Sequence, residues 1–108
     1  MIKYKSENTT PEMIYKLMRS NDVERVLDNI GYIGTPTDYV IYTQDDREGR
    51  EVTICAILFE DGKMVATNSG TFRTEVELMI DTFSRIPKIR IADGKSKSGR
   101  QFVTAELA

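Results

Sequence analysis

The chain has no histidine, no tryptophan and a single cysteine in 108 residues. Without histidine it has no ordinary proton shuttle near neutral pH, no Ser-His or Cys-His nucleophile pair, and none of the commonest zinc ligand. Most enzyme classes are thereby argued against, and a protein that binds rather than catalyses is expected. The lone Cys55 rules out an internal disulfide. Its setting in Val52-Thr53-Ile54-Cys55-Ala56-Ile57-Leu58-Phe59 marks a buried thiol rather than a reactive one. No apolar run approaches the roughly 20 residues that cross a bilayer. Met1–Ser6 has no apolar stretch behind its lysines, so a soluble cytoplasmic protein is expected. No cofactor or metal is expected either. Gly94-Lys95-Ser96 imitates the end of a phosphate-binding loop, but Ile89 stands where that motif needs its first glycine, and a strand rather than a helix follows. Asp45, Asp46 and Glu48 lack the further ligand spacing of a cation site and read as a solvated acidic turn.

What is present suits one folded domain over residues 1–108. With 40% hydrophobic and 30% charged residues, the composition lies away from disordered chains. At 12.3 kDa one core is available, burying about 65% of the unfolded chain's surface, and self-association stays open for so small a core. The formal net charge of −2 hides a division. Residues 84–108 carry six Lys/Arg against Asp93 and Glu106, whereas residues 1–83 carry nine basic side chains against fifteen acidic ones. Such a split suggests one surface that receives an anion while the rest keeps the protein soluble.

Along the chain, residues 1–9 are polar and aperiodic and read as a mobile arm. Thr10-Pro11-Glu12 is a helix start, with a capping hydroxyl, proline at the first helical position and a carboxylate in the first turn. Met13, Ile14, Leu17 and Met18 supply its apolar face. Asn21 is positioned to cap a second helix with Val23, Val26, Leu27 and Ile30, ended by Gly31. Residues 1–31 are thus an arm and one or two helices. From Tyr32 the pattern turns to strands: Tyr39–Thr43, then Glu51–Phe59 as the central strand, then an Asp61-Gly62 turn and Met64–Asn68. Thr71 or Thr74 would cap a helix carrying Val76, Met79, Ile80 and Phe83, stopped by Pro87. Two last strands, Lys88–Ala92 and Gln101–Leu107, alternate with Ile89, Ile91, Val103, Ala105 and Leu107 inward. The expected fold is mostly β with α: an OB-like five-stranded barrel of order β-β-β-α-β-β over residues 32–108, preceded by the N-terminal helices.

The candidate site lies in the closing hairpin. A single strand of nucleic acid offers a row of phosphates and unstacked bases, so its receptor needs spaced cations and an aromatic platform. Lys88, Arg90, Lys95, Lys97 and Arg100 supply cations, Ser96 and Ser98 supply hydroxyl donors, and Gly94 and Gly99 let the backbone approach. Phe102 is the nearest outward ring, with Tyr42 or Tyr39 as a second. Arg47 and Arg50 join from the other loop beside an OB groove, although Asp45, Asp46, Glu48 and Glu51 surround them. The plainer alternatives are that a basic hairpin is a solvated turn whose lysines deter edge-to-edge aggregation, and that Phe102 packs against the N-terminal helices.

The segments Asp22–Val26, Asp45–Val52, Ala66–Ser69 and Lys95–Phe102 together resemble small single-stranded DNA-binding proteins of bacteriophages of Gram-positive hosts. The resemblance implies an OB-like fold, a role in phage DNA replication or recombination, phage replication or recombination proteins as partners, and the bacterial host cytoplasm as location. It carries no catalytic signature. The alternative function, of another class, is a phage-encoded protein-interaction module that inhibits a host defence or replication enzyme, with the acidic N-terminal portion facing its partner.

Overall fold

A strand that is apolar on both faces has to be covered on both, and Glu51–Phe59 sets that requirement for the whole molecule. The computed structural model describes residues 1–108. In chain order the elements are β1 (Ile2–Lys5), α1 (Pro11–Arg19), β2 (Glu24–Arg25), a 3-10 turn (Val26–Asn29), β3 (Ile33–Gly34), β4 (Pro36–Asp45), β5 (Glu51–Phe59), β6 (Met64–Thr67), α2 (Gly70–Phe83), β7 (Ile89–Lys95) and β8 (Gln101–Leu107). They form a mixed α/β fold, mostly strands. One sheet runs β1-β4-β5-β6-β2, with β2 parallel to β6 and the other pairs antiparallel; a second, antiparallel sheet runs β3-β7-β8.

β5 lies at the centre of the larger sheet. Cys55, Ile57 and Phe59 point to one side with Tyr39 and Ile41 of β4, against Phe72, Val76 and Met79 of α2 and Ile89, Ile91 and Val103 of the smaller sheet. Ala56 points to the other side with Val40 and Tyr42, under Ile14 and Leu17 of α1. The two layers share one sheet, so the fold is α1, then five strands, then α2 with three strands. Ile57 is fully buried, and its truncation to alanine would cost about 2–5 kcal/mol.

The helix starts obey capping chemistry. Thr10 Oγ1 accepts the Met13 N–H at 3.2 Å, with Pro11 next in the chain, as the sequence predicts. For α2 the cap is Ser69 rather than Thr71 or Thr74. Thr67 Oγ1 accepts the Ser69 N–H at 3.0 Å and holds Ser69 extended, so that Ser69 Oγ accepts the Phe72 N–H at 3.4 Å and donates to the Val103 carbonyl at 3.4 Å. Thr74 sits inside the helix, its hydroxyl on the Gly70 carbonyl.

The N-terminal third departs from expectation. Residues 2–5 are not an arm but the edge strand β1, paired Ile2 to Tyr42 and Lys5 to Val40. The free edge of β4 supplies the hydrogen bonds that four residues without periodicity cannot supply for themselves. The second helix expected from Val23 is absent too. Glu24 and Arg25 pair with Val65 and Ala66, and only the 3-10 turn follows. Val26 is buried, whereas Leu27 and Ile30 are exposed.

The expected order survives as β4-β5-β6-α2-β7-β8, but the sheets are not closed into a barrel. β1 occupies the outer edge of β4, β2 that of β6, and β3 one edge of β7. With the outer edges of β4 and β6 taken by β1 and β2, neither strand is left for β7 or β8 to pair with, as closure of the expected five strands would require. No helix is long and apolar enough to cross a membrane.

Candidate nucleic-acid interface

β7 and β8 pair from Ile89 opposite Leu107 to Lys95 opposite Gln101. Period-two alternation sends Ile89, Ile91, Val103 and Ala105 into the core. The opposite face carries Arg90, Ala92 and Gly94 beside Phe102, Thr104 and Glu106, all exposed or half-buried. Leu107, expected inside, is exposed at the strand end.

The tip is a tight turn. Ser96 N–H donates to the Arg100 carbonyl at 2.9 Å and Gly99 N–H to the Ser96 carbonyl at 2.9 Å, with Gly99 at φ +83°. That φ is where an L side chain is strained, so glycine is required. Ser96 Oγ accepts the Arg100 N–H at 3.2 Å and lies 2.9 Å from Ser98 Oγ. The two hydroxyls therefore brace the turn, and one of their two O–H groups stays free to donate.

Lys95, Lys97 and Arg100 are exposed and make no ion pair, as is Lys88 at the hairpin base. Arg90 differs: it faces Glu106 across the strand pair and binds it at 3.4 Å, so this predicted contact is already partnered. In the β4–β5 loop Arg47 is exposed and outside any ion pair, but Arg50 is held by Asp46 at 3.1 Å and Glu48 at 2.8 Å. The Arg50 N–H and guanidinium, with the Glu48 N–H, hold the Asp46 carboxyl below its ordinary range.

The aromatic candidates separate in the same way. Tyr42 is buried under α1 and Tyr39 is buried on the other side of the sheet, each with its phenol pushed up by burial. β4 is an interior strand covered on both faces, so neither ring is a platform for a base. Phe102 is half-buried, and its ring lies over Gly94: a Cβ built at Gly94 would stand 2.7 Å from Phe102 Cζ. Gly94 thus seats the ring, an aromatic-over-glycine pairing across strands, rather than freeing the loop backbone. The Cys55 thiol is buried and pushed up to about 12, chiefly by desolvation, which keeps it protonated and unreactive.

Beside the hairpin runs a groove of about 540 Å³ that the sequence did not reveal. Arg25 and Leu27 line it together with Gln101 to Val103 and with Asn68 and Ser69, just ahead of α2. The lining comes from four separate segments of the chain, residues 25–27, 54, 66–69 and 101–103, and Leu27 was expected on the apolar face of a helix that does not form. The only sequence signal was the polar run Thr67-Asn68-Ser69 ahead of an apolar helix.

No known protein family, characterised protein or solved structure matches this chain.

Proposed function

We propose that this protein is a non-catalytic binder of single-stranded DNA, serving phage replication or recombination in the cytoplasm of a bacterial host. The observation that carries the reading is the β7–β8 tip, where Lys95, Lys97 and Arg100 stand exposed with no carboxylate partner in an otherwise acidic molecule. A polyanion is attracted to that tip and repelled elsewhere, which confines it to one path. Phe102 supports a single strand over a duplex, because stacked duplex bases hide the faces an aromatic ring engages. Lys88 extends the cationic path along the hairpin base, and Ser98 sits between Lys97 and Gly99 as a phosphate donor. The order β4-β5-β6-α2-β7-β8 is that of OB-like folds, here opened into two sheets, and supports the reading as an analogy.

The test is fluorescence anisotropy of a labelled oligothymidylate across a salt series. Affinity should fall with salt, and Lys97→Ala should lower the slope of log K against log salt by about 0.7, one phosphate contact on a single strand. Phe102→Ala should weaken binding about fivefold or more with the slope unchanged, circular dichroism confirming that the hairpin stays folded. Absence of binding at low salt would overturn the proposal. A pull-down from host lysate dependent on the acidic portion would then support the inhibitor alternative.

A further inference from the structure

Resting on that reading, we infer that the groove between Arg25–Leu27 and Gln101–Val103 holds one splayed nucleobase of a strand whose phosphates lie on the β7–β8 tip. The groove, at about 540 Å³, has the size of a small-molecule site, within the usual range of about 300–1,000 Å³. Its inner surface is apolar, from Val26, Ile54, Ala66 and Val103. Leu27 remains 46% exposed at the wall, an apolar flank that the protein's own packing does not cover.

The lining also carries polar side chains, Arg25, Thr67, Asn68, Ser69 and Gln101, of the kind the edge of a base needs. The hydroxyls of Thr67 and Ser69 are committed to the α2 start, whereas the Asn68 carboxamide between them is exposed and free of hydrogen bonds within the protein. A carboxamide presents a donor and an acceptor together, the pattern that base edges share. Gln101 gives its amide N–H to Asp93 at 3.1 Å, which fixes the side chain. The Arg25 guanidinium is pinned by two bonds to Asp28, at 3.1 and 3.0 Å. A planar cation held in this way is suited to lie against an aromatic face.

Charge complementarity names the occupant. Gln101 follows Arg100 in the chain and pairs with Lys95 across the hairpin. A strand whose phosphates meet these two cations therefore passes the groove mouth, and its base is the planar, edge-polar group within reach. An apolar peptide would find no use for the two tip cations.

The experiment uses the full-length protein and an oligothymidylate carrying one 2-aminopurine, read by emission for the base and by anisotropy over a salt series for the strand. The wild type should change the 2-aminopurine emission on binding. Asn68→Ala and Leu27→Ser, both uncharged changes at exposed positions, should abolish that change and weaken binding about fivefold while leaving the salt slope as it was. If binding stays salt-dependent and both variants retain the wild-type emission change, the groove assignment is overturned and the hairpin reading stands. If no strand binds at low salt, both are overturned.

Discussion

Two hairpin tips in this molecule, Asp46–Arg50 and Ser96–Arg100, close with the same hydrogen bonds. In each the first residue's N–H meets the fifth residue's carbonyl, at 2.8 and 2.9 Å, and the glycine N–H returns to the first carbonyl, at 3.1 and 2.9 Å. Gly49 and Gly99 share the left-handed conformation, at φ +78° and +83°. The side chain at the first position also has the same duty: Asp46 Oδ1 and Ser96 Oγ each accept the N–H of the following arginine, Arg50 or Arg100. The difference lies in charge. Asp46 brings a carboxylate that captures the Arg50 guanidinium, and Glu48 adds a second. Ser96 and Ser98 perform the turn chemistry without charge and leave Arg100 and its neighbouring lysines unpaired. Turn geometry and ligand chemistry are thus set by different atoms of the same five residues.

That separation is open to a direct attack. Ser96→Asp with Ser98→Glu gives the second tip the acidic pattern of the first. We expect the hairpin to close as before, with a melting temperature near that of the wild type. Anisotropy on single-stranded DNA should show at least a tenfold loss of affinity, from added repulsion and the capture of Arg100. A large drop in melting temperature instead would show that the two tips are not interchangeable as turns.

Gly49→Ala and Gly99→Ala sharpen the structural half of the comparison. Each places a side chain at positive φ, and each should destabilise by about 1–2 kcal/mol in denaturant titrations. Only Gly99→Ala should also weaken DNA binding. Gly94→Ala probes the ring beside the cationic tip. The new Cβ collides with Phe102, so the ring must shift, and binding should weaken without a change in salt slope.

How much of this was legible beforehand follows from the range of the forces involved. The central strand Glu51–Phe59, the Thr10 cap and the alternation of β7 and β8 are local patterns, and they were read from sequence. β1 was not, because Ile2–Lys5 becomes a strand only by pairing with an edge of β4 that lies far along the chain. Val26 misled in the opposite way: its neighbours repeat at helical spacing, yet Glu24 and Arg25 gain more by pairing with β6. The site divides along the same line. Lys95, Lys97 and Arg100 are exposed because they sit on a turn or at the strand end that enters it, which sequence reveals. Tyr42 faces α1, Arg90 meets Glu106 and Arg50 meets Asp46 through register and turn closure, which it does not. The groove is the extreme case, assembled from segments that no local window contains.

The smallest expected effect separates the tips by pH. Asp46 titrates below its ordinary value of 3.8 because its charged form receives the Arg50 and Glu48 N–H groups and the Arg50 guanidinium. A depressed carboxyl contributes stability that is whole above the ordinary value and lost as pH falls through the lowered one. Acid unfolding of Asp46→Asn should therefore be less steep below about pH 4. The second tip has a serine at the matching position and adds no such dependence there.

The central claim is that the Ser96–Arg100 tip is the landing place of a polyanion because its cations lack partners. The slope of log K against log salt for wild-type protein and oligothymidylate tests it most directly. Three free cations at the tip and Lys88 at the base predict a slope of about −2.8, falling to about −0.7 when Lys95, Lys97 and Arg100 are all alanine. A wild-type slope near zero, or one that the triple substitution leaves intact, would contradict the account.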